Sequence, residues 1–189
     1  MAHVGPVEYL KRDDATGQKL EYHYGEVKAM AVGTLNHACI AANVVRTLGN
    51  KLLVKGRGCE PFGSDLRLQL NAGYYYFYPD VMVACPPFEF TSEKKTAIAN
   101  ASLVVEVLSP STASDDCMVK LPVYQQQPGI LQIIYIDSES LKVRSYRRTG
   151  NTWEQDDLKS TPKAIIEIPH LESSLALAEV YGTIIEQGF

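Results

Sequence analysis

The sequence predicts an α/β protein: a mixed central β-sheet flanked by α-helices, in a single domain. Three observations carry that expectation. "SLVVEVLS", residues 102–109, is apolar at nearly every position, as in a central strand covered on both faces. Helical patterns occur early and late in the chain, with strand patterns between and beyond them. A length of 189 residues, 46% of them hydrophobic and 21% charged, suits one ordinary core.

In chain order, residues 1–20 are polar and irregular and read as a loosely held arm, leaving 21–189 as the folded domain. "KLEYHYG" and "EVKAMAV" predict a hairpin turning near Gly25. From Thr34, a plausible N-cap, to about Val54 the residues His37, Ile40, Ala41, Val44 and Leu48 form one helical stripe, which Gly56 and Gly58 end. Leu66, Leu68 and Leu70 alternate with Asp65, Arg67 and Gln69, the pattern of a half-buried strand, with Asp65 in a cross-strand ion pair. "NAGYYY" turns the chain into the strand "YPDVMVAC", and a polar excursion from Pro86 to Asn100 has room for a short helix. After "SLVVEVLS" a helix is expected from Ser114 to about Gln126, although Pro122 removes a backbone donor inside it, at about 3 kcal/mol in a helix interior. "ILQIIYID", "LKVRSYRR" and "TWEQD" are strands, and "SLALAEVYGTII" is a closing helix.

No apolar run approaches a bilayer span and no leader pattern stands at the start, so no membrane role is expected. Cys39, Cys59, Cys85 and Cys117 have no CxxC spacing and read as buried thiols of a reducing compartment, hence a cytoplasmic protein. The formal net charge of −4 argues against a dedicated nucleic-acid binder. Carboxylates that await a metal would inflate that negative count.

Two acids stand where acids are costly. Asp80 heads the strand in "FYPDVMVAC", and Glu106 interrupts an apolar β-branched run. An ionised carboxylate there must meet a cation. Two carboxylates brought to one point repel unless a divalent ion lies between them, and magnesium, a hard ion that takes oxygen ligands and retains water, suits the pair. The competing structural explanation is an ion pair with a lysine or arginine. Lys120 shares a helical face with Asp116 and Tyr124, at spacings of four, and is placed to orient water and offset phosphate charge. In "RSYRR", Arg144, Arg147 and Arg148 are candidate phosphate contacts; the alternative is an edge strand protected by charge. Tyr74, Tyr75 and Tyr76 offer either a base-stacking platform or plain core packing.

Together, "GSDLRLQL…YYYFYPDVMVAC…LVVEVLSPSTASDD…K…Y" resembles the Uma-two family of restriction-endonuclease-like proteins, within the PD-(D/E)xK nuclease superfamily, from about Gly25 to about Tyr181. The resemblance implies a restriction endonuclease-like fold and metal-dependent hydrolysis of phosphodiester bonds in DNA, with magnesium as cofactor and manganese as substitute. It implies Asp80 and Glu106, with the carbonyl of Val107, as metal ligands. The superfamily's usual lysine position falls on Leu108, and Lys120 matches the place to which this family moves it. Asp116 fits the aspartate ahead of that lysine, whereas Cys117 and Met118 replace an expected arginine and glycine. Glu26 and His37 match recurrent positions that complete the site, and a homodimer is expected because two strands call for two sites. The alternative is a catalytically inactive nucleic-acid-binding or regulatory module that retains the nuclease fold.

Overall fold

The computed structural model describes residues 3–91, 94–110, 116–182 and 184–187. The strand order organises the molecule into two sheets and a hairpin. The five-stranded sheet runs β2 (Glu26–Ala29), β1 (Leu20–His23), β5 (Tyr75–Phe77), β4 (Arg67–Leu70), β7 (Ala97–Ile98). The six-stranded sheet runs β11 (Thr152–Gln155), β10 (Val143–Thr149), β9 (Gln132–Asp137), β8 (Ala101–Leu108), β6 (Val81–Ala84), β3 (Glu60–Gly63). Strands β12 (Ile165–Ile168) and β13 (Ser173–Ala176) form the hairpin. Pairing is antiparallel except between β8 and β9 and between β4 and β7, so the sheets are mixed as expected, although there are two of them.

The helix predicted from Thr34 is α2 (Leu35–Lys55). Thr34 caps it by accepting the His37 N–H, and Gly56 ends it in the left-handed region at φ 65°. Its buried stripe of Ile40, Val44, Leu48 and Leu52 packs on one face of the six-stranded sheet, against Val81, Val83, Leu103, Val105 and Val107. Helix α4 (Leu177–Tyr181) and the β12–β13 hairpin complete that layer. The opposite face, with Met82, Val104, Ile133 and Tyr135, meets Leu68, Leu70 and Phe77 of the other sheet and Tyr124 of α3 (Leu121–Gln126).

Several expectations need correction. Residues 6–16 are not a loose arm but helix α1 (Pro6–Thr16), whose Tyr9 packs on Tyr22 and Tyr76 over the outer face of the five-stranded sheet. Its run of charged residues hid a buried stripe only two residues wide, Tyr9 and Asp13. "YYYFYPDVMVAC" is two strands in two sheets, β5 and β6, with Asp80 at the crossing. Within Pro86–Asn100 the described residues hold β7 and no helix. The closing helix is shorter, because Ser174 to Ala176 belong to β13; a brief α5 (Ile184–Gln187) follows α4. Cys59 and Cys85 are not free thiols but a disulfide, because the register Glu60↔Ala84 sets the preceding and following residues opposite each other, Cα to Cα 4.0 Å. Cys39 and Cys117 take no part in a disulfide. Among the described residues no helix is long and apolar enough to cross a membrane.

Candidate active site

The antiparallel register of β6 on β8, with Val81 opposite Val105, brings the next pair, Asp80 and Glu106, together. They clasp through the main chain. The Asp80 N–H donates to Glu106 Oε2 at 3.2 Å, and the Val107 N–H donates to Asp80 Oδ2 at 2.7 Å. His37 Nε2, in the first turn of α2, lies 3.1 Å from the same Asp80 oxygen. Glu106 is 2% exposed, and its Oε1 accepts from the Tyr124 hydroxyl at 2.6 Å and from Lys120 Nζ at 3.4 Å. Burial, then the Glu106 charge, pushes the Tyr124 hydroxyl well above its ordinary pKa, so it stays a donor.

Lys120 precedes α3 at the end of a π-helical turn, Asp116–Lys120. This turn resolves the problem posed by Pro122. The regular helix begins at Leu121, so the proline stands in its first turn, where an N–H has no intrahelical partner to lose. The wide turn swings Lys120 inward, over the Phe77 ring at 5.7 Å, and Lys120 and Tyr124 converge on one Glu106 oxygen. The side chain of Asp116 lies outside the described residues.

A buried residue that sequence reasoning passed over completes the cluster. Glu21 on β1 lies with Oε1 2.8 Å from Lys120 Nζ, accepts the Tyr78 N–H at 3.1 Å, and has its other oxygen 3.5 Å from His23 Nε2. Burial works against the charge of Glu21, but the contacts from His23 and Lys120 outweigh it and hold the carboxyl below its ordinary value. The signal was present: Glu21 stands between Leu20 and Tyr22, an acid in an apolar strand like Glu106. A hairpin strand ordinarily has one wet face, and this one has none.

Glu26 does not join the cluster. It stands opposite His23 at the hairpin end, exposed, and away from the cavity. The "RSYRR" arginines form no common surface, since alternation along β10 sends Arg147 to one face and Arg144 and Arg148 to the other. Arg147 pairs with Asp156 at 2.5 Å. Arg148 donates to the carbonyls of Gln125, Gln127 and Ile130 and stacks on Trp153, which makes it an anchor of α3. Arg144 is exposed. Of the tyrosine run, Tyr76 is core, Tyr75 half-buried and Tyr74 exposed against Tyr24. Asp65 does form an ion pair, with Lys19 at 2.8 Å, but not the expected cross-strand one, since both residues precede their strands and β5 separates β1 from β4.

Asp80, Glu106, Val107, Lys120, His37 and Glu21 line a cavity of about 220 Å³, walled opposite by the segment from Lys28 to Gly33. Among the described residues no three His, Cys, Asp or Glu side chains are spaced to hold a metal ion. The acidic pair nevertheless fits a hard divalent cation. Magnesium needs only one or two carboxylates, taking the rest of its shell from water and substrate phosphate. The donors here are oxygens, with Asp80 Oδ2 and both Glu106 oxygens held in place by protein donors.

A crystal structure described as "a putative nuclease belonging to DUF820" from Anabaena variabilis superposes with TM-score 0.73, covering 94% of this chain and 97% of that one. At 21% identity that likeness shows the fold alone, a mixed α/β architecture in a single domain. The uncharacterized protein sll1609 of Synechocystis is 35% identical over 144 residues, 76% of this chain and 80% of its own. A second protein of that organism, the uncharacterized slr1290, is 34% identical over 148 residues, 78% of this chain and 76% of its own. The model of the Uma2 family, described as "Putative restriction endonuclease", matches residues 6–178, and with the two relatives it establishes that the chain belongs to this family.

Proposed function

We propose that the protein is a magnesium-dependent DNA endonuclease, with manganese as a working substitute. The observation that carries this is the convergence of Asp80 and Glu106 in one cavity with the Lys120 ammonium beside them. Families of restriction-endonuclease-like proteins generally use divalent metals, which agrees with an all-oxygen donor set. Asp80, Glu106 and the Val107 carbonyl would hold the ion, and once bound it would lower the pKa of a coordinated water and polarise the phosphate. Lys120, held between Glu21 and Glu106, directs its charge at the phosphate oxygens where negative charge grows. His37 keeps the Asp80 carboxylate oriented. A homodimer and a cytoplasmic setting belong to the same proposal, and there the Cys59–Cys85 pair would face a reducing pool.

The test is cleavage of plasmid and single-stranded DNA with magnesium or manganese, by the native protein and by Asp80→Ala. Cleavage that falls by about a hundredfold or more in the variant is expected, as for loss of a group that acts on the developing charge. Cleavage that survives the substitution refutes the assignment. One observation favours a second reading, a binding module without turnover: Lys120 is already clasped by two buried carboxylates. Salt-sensitive DNA binding with no cleavage under either metal would establish that alternative.

A further inference from the structure

Lys120 lies between two acids at unequal distances. Its Nζ is 2.8 Å from Glu21 Oε1 and 3.4 Å from Glu106 Oε1. All three residues are buried, so water screens these attractions poorly. The ammonium is thus drawn by both carboxylates and sits nearer the one outside the Asp80–Glu106 pair.

That imbalance matters to Glu106. Its Oε1 already accepts from the Tyr124 hydroxyl at 2.6 Å, and its Oε2 accepts the Asp80 N–H at 3.2 Å. An ammonium closed fully onto Glu106 would cancel much of the charge that the acidic pair offers a hard cation, and would repel that cation across a few ångströms. Glu106 lends its charge to a divalent ion best when Lys120 is drawn elsewhere.

Glu21 is held in place to do the drawing. The Oε1 that faces Lys120 also accepts the Tyr78 N–H at 3.1 Å, and Oε2 is 3.5 Å from His23 Nε2. The Tyr78 hydroxyl is bonded in turn to Asp13 and Arg67, which fastens that stretch of chain to α1. Lys120 is the adaptable member, a compact charge on a flexible stem that passes over the Phe77 ring. A fixed acid and a movable ammonium set the balance from the Glu21 side.

We propose that Glu21 is a positioning residue for the acidic pair: it draws the Lys120 ammonium off Glu106, so that Asp80 and Glu106 keep their charge for a divalent cation while Lys120 stays beside them. This rests on the nuclease reading and gives Glu21 its part in it.

Calorimetric titration with manganese, in the absence of DNA, reads the metal site apart from cleavage. Glu21→Gln keeps the shape and removes the charge. It should bind manganese about tenfold more weakly or worse, the order expected when a unit charge a few ångströms from the ion is lost and Lys120 falls back onto Glu106. Adding Lys120→Met to that protein restores the balance of charge and should return the affinity to the native value or above. Recovery of this kind distinguishes positioning from a merely structural role and from direct coordination by Glu21, under either of which the double variant stays weak. Native crystals soaked in manganese give a readout that needs no variant. The ion should lie on Asp80 and Glu106, with Lys120 Nζ within hydrogen-bond distance of Glu21 and beyond it from Glu106. An ion held directly by Glu21, an unchanged affinity in Glu21→Gln or a double variant that stays weak overturns the proposal. Unchanged affinity beside Asp80-dependent cleavage would leave the nuclease reading intact. Recovery in the double variant, with no cleavage by the native protein, would retire that reading and leave the positioning role standing. If the native protein binds no manganese, both fall.

Discussion

Glu106 illustrates how one residue can be costly and indispensable together. Its carboxylate is out of water, and the Tyr124 hydroxyl, the Asp80 N–H and the Lys120 ammonium replace the lost solvation. Removing one donor strands charge, so Tyr124→Phe should cost about 1.5–3 kcal/mol, the range for hydrogen bonds to charged groups, read from urea unfolding. Glu21 adds a pH dependence. Its carboxyl is held below the ordinary 4.5, so the folded state binds a proton less readily than the unfolded chain. The stability this contributes is complete above about 4.5 and is lost as pH falls through the folded value. Urea midpoints measured from pH 6 downward should therefore drop less steeply in Glu21→Gln than in the native protein. Asp80 and Glu106 were legible in the sequence because an acid in a buried strand is anomalous in one dimension. Glu21 has the same anomaly, but a short hairpin strand looks half-wet until its second cover, Lys120 with Phe77, is known.

At the scale of elements, α1 is fastened by a buried network. Asp13 receives the Leu20 N–H at 2.8 Å, Arg67 Nε at 2.6 Å and the Tyr78 hydroxyl, and Asp14 takes the other arm of Arg67. Tyr78 also donates its N–H to Glu21, so the anchor of α1 and the site share one residue. Breaking a buried pair by removing one partner leaves an uncompensated charge, and Arg67→Met should destabilise the fold by about 3–5 kcal/mol. Calorimetric unfolding checks this, and a change within about 0.5 kcal/mol, the range of ordinary surface substitutions, would refute it. Local signals for α1 existed, with Pro6 at its first turn and Gly17 just past its end at φ 64°. They went unread because its apolar stripe is too narrow to register as amphipathic. For α3 the proline itself marked the boundary: Pro122 reads as a breaker inside a helix from Ser114 and as a starter for a helix from Leu121.

For the whole molecule, the site lies where the chain leaves one sheet for the other, between β5 and β6. Its geometry thus depends on how the two sheets pack, through Phe77 and Tyr124. The Cys59–Cys85 bond ties the edge strand β3 to β6, closing a loop across a sequence separation of 26. In the chain-entropy account a loop of this size contributes about 3 kcal/mol. Stability should fall by about 2–4 kcal/mol under reductant, and Cys59→Ala should abolish that sensitivity. If reduction left the urea midpoint unchanged, the bond would have no such effect in solution.

What the sequence determined by itself was local. Thr34 and Gly56 bound α2, the β-branched run makes β8 central, and an acid within that run requires a partner. The tertiary structure alone decided who the partners are: Glu21 beside Lys120, Arg148 spent on carbonyls, Cys59 across from Cys85, and the Lys28–Gly33 wall over the acids. The physical reason is that burial cost belongs to a single residue and can be read where it stands. Its compensation comes from strands and turns far along the chain, and only their packing in space brings them within bonding distance.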